Sequence, residues 1–145
     1  MKNKIAASIL YLSLAVMLAA CASGGEAVLA PNTQAGDQLK PEYLYGRWCT
    51  NRELTSEANT ESGFSALLNL SKEFWEFRES GRWNNSETGW MFAHYGEWQL
   101  QDRDTVILDR LRGDPVSYQA SFRNSGVDLY LTDEAGHYLV LSRCE

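Results

Sequence analysis

The chain has 145 residues, 44% of them hydrophobic and 22% charged, and its net charge is −6. An acidic balance with scattered basic residues argues against nucleic-acid binding and against a polybasic membrane patch. Its two histidines, His94 and His137, stand apart without the spacing of metal ligands, so no metal site is expected. About 105 residues follow residue 40, which is enough for one domain at residues 41–145.

The first 20 residues have the layout of a signal peptide. Lys2 and Lys4 precede sixteen uncharged residues, 5–20, and small residues lie just before Cys21. This apolar run is shorter than the roughly 20 residues that a membrane-spanning helix needs. The alternative is an ordinary signal peptide, or a short membrane helix, that happens to be followed by a cysteine.

The residues Leu18-Ala19-Ala20-Cys21 resemble the lipobox of bacterial lipoproteins. The resemblance implies that residues 1–20 are removed and that Cys21 becomes the first residue of a lipoprotein, acylated by palmitate-like chains. Each buried acyl methylene contributes about 0.8 kcal/mol to membrane attachment. Because Ala22 rather than aspartate follows, the expected location is the outer membrane, with the domain facing the periplasm.

Residues 22–40 are rich in small and polar side chains and show no apolar periodicity. Such a composition buries too little apolar surface to offset the entropy of ordering. Residues 21–40 are therefore predicted to be the lipidated N-terminus and a disordered, flexible tether.

Beyond residue 43 the sequence alternates between short apolar segments and turn signals, without a convincing long helix. The predicted strands are residues 44–51, 73–78, 82–85, 90–100 (one strand or two), 105–111, 116–122, 127–132 and 137–144. Residues 53–59 read as a polar stretch, and residues 64–70 could be helix or strand. About eight closely spaced strands predict an all-β antiparallel barrel or sandwich, and consecutive hairpins favour an up-and-down barrel that leaves no bare edge.

Alternation assigns the inward faces of two of these strands. The residues predicted to face inward are Val116, Tyr118, Ala120, Phe122, Val127, Leu129 and Leu131.

The positions of the cysteines bear on whether the first and last strands are neighbours, as a closed barrel requires. If Cys21 carries lipid, Cys49 and Cys144 are left as a pair in a compartment that permits disulfides. Cys49 lies on the first strand and Cys144 at the end of the last, and both face outward if Trp48 and the leucines of the last strand face inward. A disulfide would then join the two strands; two free thiols are the alternative.

Gly46-Arg47-Trp48 on the first strand resembles the Gly-x-Trp motif of the lipocalin superfamily, and Arg143 on the last strand resembles the arginine of that family. The resemblance implies a lipocalin-like barrel in which this arginine stacks on the tryptophan at a closed end, a cation–π contact.

No nucleophile motif, phosphate-binding loop or paired metal ligands are present in the sequence, so a non-enzymatic protein without a cofactor is predicted. An eight-stranded barrel is filled by side chains or holds one small ligand. The residues that could line a site for a small hydrophobic ligand are Trp75, Trp90, Trp98, Tyr118 and Phe122; the alternative is that they are core. A second hypothesis is an envelope protein-interaction module, either an assembly accessory or a protease inhibitor with residues 22–40 as a projecting arm.

Overall fold

A computed structural model describes residues 28–60, 72–87, 94–111 and 113–145. The predictions for the leader, Cys21, Trp90 and residues 64–70 lie outside these described residues. Within the described part of the chain, no helix is both long enough and apolar enough to cross a membrane.

The described residues form a closed barrel in which each strand pairs antiparallel with the next and the last strand pairs with the first. The prediction of an all-β, up-and-down, eight-stranded barrel is therefore confirmed. In chain order the strands are β1 Gly46–Thr50, β2 Lys72–Phe77, β3 Arg82–Glu87, β4 His94–Gln101, β5 Thr105–Arg110, β6 Val116–Arg123, β7 Asp128–Thr132 and β8 Tyr138–Arg143, with a short helix, α1 Arg52–Ala58, after β1.

The core lies inside the barrel and follows the alternation of the strands. Ala120 and Phe122 on β6 and Leu129 and Leu131 on β7 are fully buried, as predicted. Val127, predicted to face inward, is instead exposed. It follows a tight turn with left-handed backbone at Asn124, Ser125 and Gly126, and β7 begins only at the next residue.

The polar stretch at residues 53–59 forms most of α1, which closes the seam between β1 and β8 from outside. β1 pairs with β8 only as far as Leu141. Beyond that point Thr55 Oγ1 accepts from Val140 N at 3.0 Å and donates to Val140 O at 3.3 Å. Asn59 bonds Tyr138 N and O at 2.8 and 2.7 Å in the same way. Two side chains spaced four apart thus replace the backbone of a strand, and Val140 is buried beneath them.

Cys49 and Cys144 form the predicted disulfide, with an S–S distance of 2.03 Å and Cα atoms 5.1 Å apart. The bond joins the outer faces of β1 and β8, so it ties together the two strands that close the barrel. It connects residues 95 positions apart in the sequence.

The N-terminal segment differs from its prediction as a disordered tether, because residues 28–40 lie against the barrel. Thr33 exchanges two hydrogen bonds with Phe122, each 2.8 Å long. Leu39 N donates to Arg103 O at 2.8 Å, and the side chains of Leu39 and Leu44 are buried in the core. These contacts come from single residues at irregular spacing, so no periodic pattern in the sequence predicts them.

This segment covers one end of the barrel, here called the sealed end. The sealed end holds the start of β1, the end of β8 and the turns at residues 78–81, 102–104 and 124–126. The opposite end, here called the far end, holds the turns at residues 113–115 and 133–137. Gly126 shows how closely the segment lies, since a Cβ there would overlap the backbone of Ala30.

Replacing both disulfide cysteines, Cys49→Ser with Cys144→Ser, is expected to lower the free energy of unfolding by about 4–5 kcal/mol. A cross-link over a loop of this length restricts the unfolded chain by that amount. Urea unfolding of the oxidised protein and of the double variant measures the difference. A loss below about 1 kcal/mol would show that the disulfide is not what holds the seam.

Candidate functional site

The sealed end is organised around Arg143. Its guanidinium lies 3.7 Å from the ring centroid of Trp48. Nη1 donates to Tyr45 O at 2.5 Å and Nη2 to Tyr43 O at 2.8 Å, while Trp48 Nε1 donates to Leu44 O at 2.8 Å. Burial lowers the pKa of Arg143 to about 10, so the side chain remains charged at neutral pH. The stack and these three hydrogen bonds to backbone carbonyls make this end rigid.

Gly46 is required by the same arrangement. Its φ of +105° is a conformation that L side chains rarely adopt, and an added Cβ would lie 3.1 Å from Arg143 Nη1. The geometry of Gly46, Trp48 and Arg143 is the one that the Gly-x-Trp resemblance implies.

Two of the five residues proposed to line a ligand site belong to this rigid core. Trp98 packs edge-on against Phe77, with ring centroids 5.5 Å apart, and its Nε1 donates to Arg78 O at 2.9 Å. Phe122 is fully buried, and its ring lies 6.0 Å from that of Trp48. Neighbours surround both rings, and both residues belong to the hydrophobic core, which also includes Trp75 and Trp83.

The other two described candidates, Trp75 and Tyr118, are in contact with each other inside the barrel, further from the sealed end. Trp75 lies two residues further from the sealed end than Phe77 on β2, and Tyr118 lies four residues further than Phe122 on β6. The two rings are 6.4 Å apart in an edge-on contact. Trp90, the fifth candidate, is outside the described residues.

A residue that the sequence did not single out, Trp83, completes this group. Its ring stacks on Trp75 at 5.8 Å with 15° between the planes, and we call Trp75, Trp83 and Tyr118 the Trp75 cluster. Trp83 Nε1 donates to Asp109 O, two strands away, at 3.1 Å. The indole passes over Gly96, its partner on β4, where a Cβ would overlap the Asp109 carbonyl.

The Trp75 indole N–H distinguishes this cluster from the rest of the core. Trp48, Trp83 and Trp98 each donate to a backbone carbonyl, whereas Trp75 Nε1 has no hydrogen-bond partner among the described residues. The Trp75 side chain is buried, at 3% exposure. A buried donor left unpaired costs about 1–3 kcal/mol. An acceptor atom placed within hydrogen-bond distance of Trp75 Nε1 would remove this cost.

The surroundings of Tyr118 set the charge that this region accepts. Burial raises the pKa of Tyr118, the Asp133 carboxylate raises it further, and Arg110 opposes them. Tyr118 therefore remains a neutral phenol at physiological pH. Asp133 itself lies 3.1 Å from His137 Nδ1. A second negative charge beside Tyr118 would face the same burial and the same carboxylate.

Within the described ranges, no group of three or more histidine, cysteine, aspartate or glutamate side chains is placed to hold a metal ion. Comparisons of the chain with protein-family models, with curated proteins and with solved structures found no match.

The Gly46→Ala substitution is expected to destabilise the fold more than Gly136→Ala. Both glycines have positive φ, but nothing lies within 4 Å of a Cβ at Gly136. The conformational penalty of about 1–2 kcal/mol applies to both, and contact with Arg143 adds about 1–3 kcal/mol at Gly46. Thermal or urea unfolding of the two variants measures this difference. Equal losses would mean that Arg143 is free to move away, contrary to the rigid end described above.

Proposed function

We propose that this chain is a non-enzymatic, lipid-anchored lipoprotein of the bacterial envelope whose lipocalin-like barrel binds one small, largely apolar ligand at the Trp75 cluster. The anchor is Cys21, and the expected location is the outer membrane on its periplasmic side. The lipobox-like residues that end at Cys21 support the anchor. The barrel fold and the Gly46, Trp48 and Arg143 geometry are compatible with a lipocalin relationship.

The unpaired indole N–H of Trp75 is the observation that carries the proposal for binding. Three other indoles donate to backbone carbonyls, whereas Trp75 Nε1 has no acceptor among the described residues. A ligand that brings an acceptor oxygen to Trp75 Nε1 recovers the hydrogen bond. Its apolar body would contact the aromatic faces of the cluster, which contribute through burial and ring contacts.

The electrostatics favour a neutral acceptor over a carboxylate. Burial at Tyr118 and the Asp133 carboxylate both disfavour an added negative charge there, while Arg110 opposes them. A ketone, ester or amide oxygen accepts a hydrogen bond without that cost. The ligand class is thus an apolar molecule with one uncharged acceptor.

The protease-inhibitor alternative needs an N-terminal arm that projects from the barrel. Residues 30–39 instead run along the barrel surface and hydrogen-bond to Phe122, Arg103 and Ser125. No contact of the described residues favours the projecting arm, so ligand binding is the function that this geometry supports better.

A matched set of three aromatic probes tests the proposal by titration calorimetry: 4-methylacetophenone, 4-ethyltoluene and 4-methylbenzoate. The ketone is expected to bind more tightly than the hydrocarbon and the carboxylate. In Trp75→Phe the ring remains and the donor is lost. Ketone affinity should fall roughly 3- to 10-fold, the range of one net hydrogen bond, with the hydrocarbon unchanged.

Trp98→Phe is the control, because it removes an indole N–H that is already bonded to Arg78 O. Its ketone affinity should equal that of the unmodified protein. If none of the three probes binds, the proposal for ligand binding in this barrel fails. If the ketone binds equally to the protein and to Trp75→Phe, the assignment to Trp75 is wrong.

A further inference from the structure

The N-terminal segment reaches the barrel at the sealed end, beside two exposed apolar residues. Val28 and Leu29 are 49% and 53% exposed, while Ala30, the next residue, is buried against the turn at Gly126. The first described residues therefore place an apolar pair on the surface of the sealed end, next to the chain that continues towards Cys21.

An open groove of about 600 Å³ lies beside Val28 at this end. Tyr45 and Phe77 contribute apolar surface to it, and its charged lining is balanced, with Arg47, Arg78 and Arg143 beside Glu42, Glu76 and Glu79. The groove therefore offers apolar and charged contacts of both signs to a zwitterionic lipid headgroup and its first acyl carbons.

Charge is distributed unequally between the two ends. Among the described residues, the exposed lysine and arginine side chains at the sealed end are Lys40, Arg47, Arg78, Arg82, Arg103 and Arg123, and the exposed carboxylates there are fewer: Asp37, Glu79, Asp102 and Glu145. Near the far end, the side chains whose exposure is described include one exposed cation, Arg52 on α1, and the exposed carboxylates Glu53, Glu57, Asp114 and Glu134. An anionic membrane surface attracts the first set and repels the second.

The distance to the proposed anchor is short. Seven residue steps separate Val28 from Cys21. Even a fully extended chain covers at most about 3.3–3.6 Å per residue, or roughly 25 Å here. An acylated Cys21 thus keeps the barrel close to the bilayer, and the charges then decide which end approaches it.

We propose that the sealed end is a lipid-facing surface that rests on the phospholipid bilayer, with Val28 and Leu29 at the headgroup level and the cations around it. This inference rests on the lipid anchor of the proposed function. It places the far end, beyond the Trp75 cluster, towards the aqueous compartment, so a ligand would reach the barrel from water.

The test uses the full acylated chain inserted into preformed vesicles of phosphatidylethanolamine and phosphatidylglycerol that contain a headgroup-spin-labelled lipid. A tetrazine-reactive amino acid replaces either Gln101, at the sealed end, or Ala135, at the far end. Both positions are exposed and uncharged. A fluorophore attached at position 101 is expected to be quenched several-fold more strongly than one at position 135. Equal or reversed quenching overturns the orientation.

A second pair of variants tests the role of charge. Lys40→Gln with Arg103→Gln should weaken quenching at position 101 on phosphatidylglycerol vesicles, whereas Arg52→Gln, at the far end, should leave it unchanged. If the two variants behave alike, the cations do not orient the barrel and the proposal loses this support.

Intact-mass measurement of the same preparations separates this inference from the anchor. If the chain begins at Cys21 but its mass includes no acyl chains, the proposed lipid anchor is wrong. The proposed orientation, which rests on that anchor, is then wrong as well. An acylated, vesicle-bound protein that is quenched equally at both positions overturns the orientation alone and leaves the anchor standing.

Discussion

The stack of Arg143 on Trp48 is the contact on which the rest of the structure depends. It joins the first strand, the last strand and the residues just before the first strand in one place, because Arg143 also binds the carbonyls of Tyr43 and Tyr45. A guanidinium taken partly out of water needs such partners to be stable. These hydrogen bonds fix the start of β1 against β8. The disulfide on the outer face and the contacts of α1 with β8 hold the same two strands together.

A barrel built in this way has two unequal halves. At the sealed end, hydrogen bonds satisfy the described indoles, and Phe77, Trp98 and Phe122 fill the space. At the Trp75 cluster one donor is left without a partner. Arg143 Nε at the sealed end also has no partner among the described residues, but its two other nitrogens are bonded, whereas the Trp75 indole has a single donor and no acceptor. This difference between the two regions is compatible with the two proposals, a lipid-facing sealed end and a ligand at the Trp75 cluster.

Much of the fold was predictable because the side chains of a strand alternate with a period of two residues. That period placed Trp48 and Arg143 inside and Cys49 and Cys144 outside, and the closed barrel and disulfide are confirmed. The contacts of residues 28–40 were not predictable, because Thr33 and Leu39 act singly through backbone bonds. The role of α1 depends on Thr55 and Asn59 meeting β8 about 80 residues later, which no local pattern encodes.

The candidate site was predicted only in part. The sequence named Trp75 and Tyr118 among the residues that could line a ligand site, and their rings are in contact in the structure. Composition could not separate these two residues from Trp98 and Phe122, since all four face inward. Trp83 was missed because its place beside Trp75 depends on crossing Gly96, and that requires the register between β3 and β4. The unpaired state of one indole among several is a property of three-dimensional neighbours alone.

The most direct measurement of the central claim is the indole N–H resonance of each tryptophan in a ¹⁵N-labelled sample, assigned by single substitutions. In the free protein the Trp48, Trp83 and Trp98 indole protons should be shifted downfield by their carbonyl acceptors, with Trp75 upfield of them. Addition of 4-methylacetophenone should move the Trp75 resonance downfield and leave that of Trp48 in place. A Trp75 resonance already at the position of the bonded indoles, and unmoved by the ketone, would contradict the account.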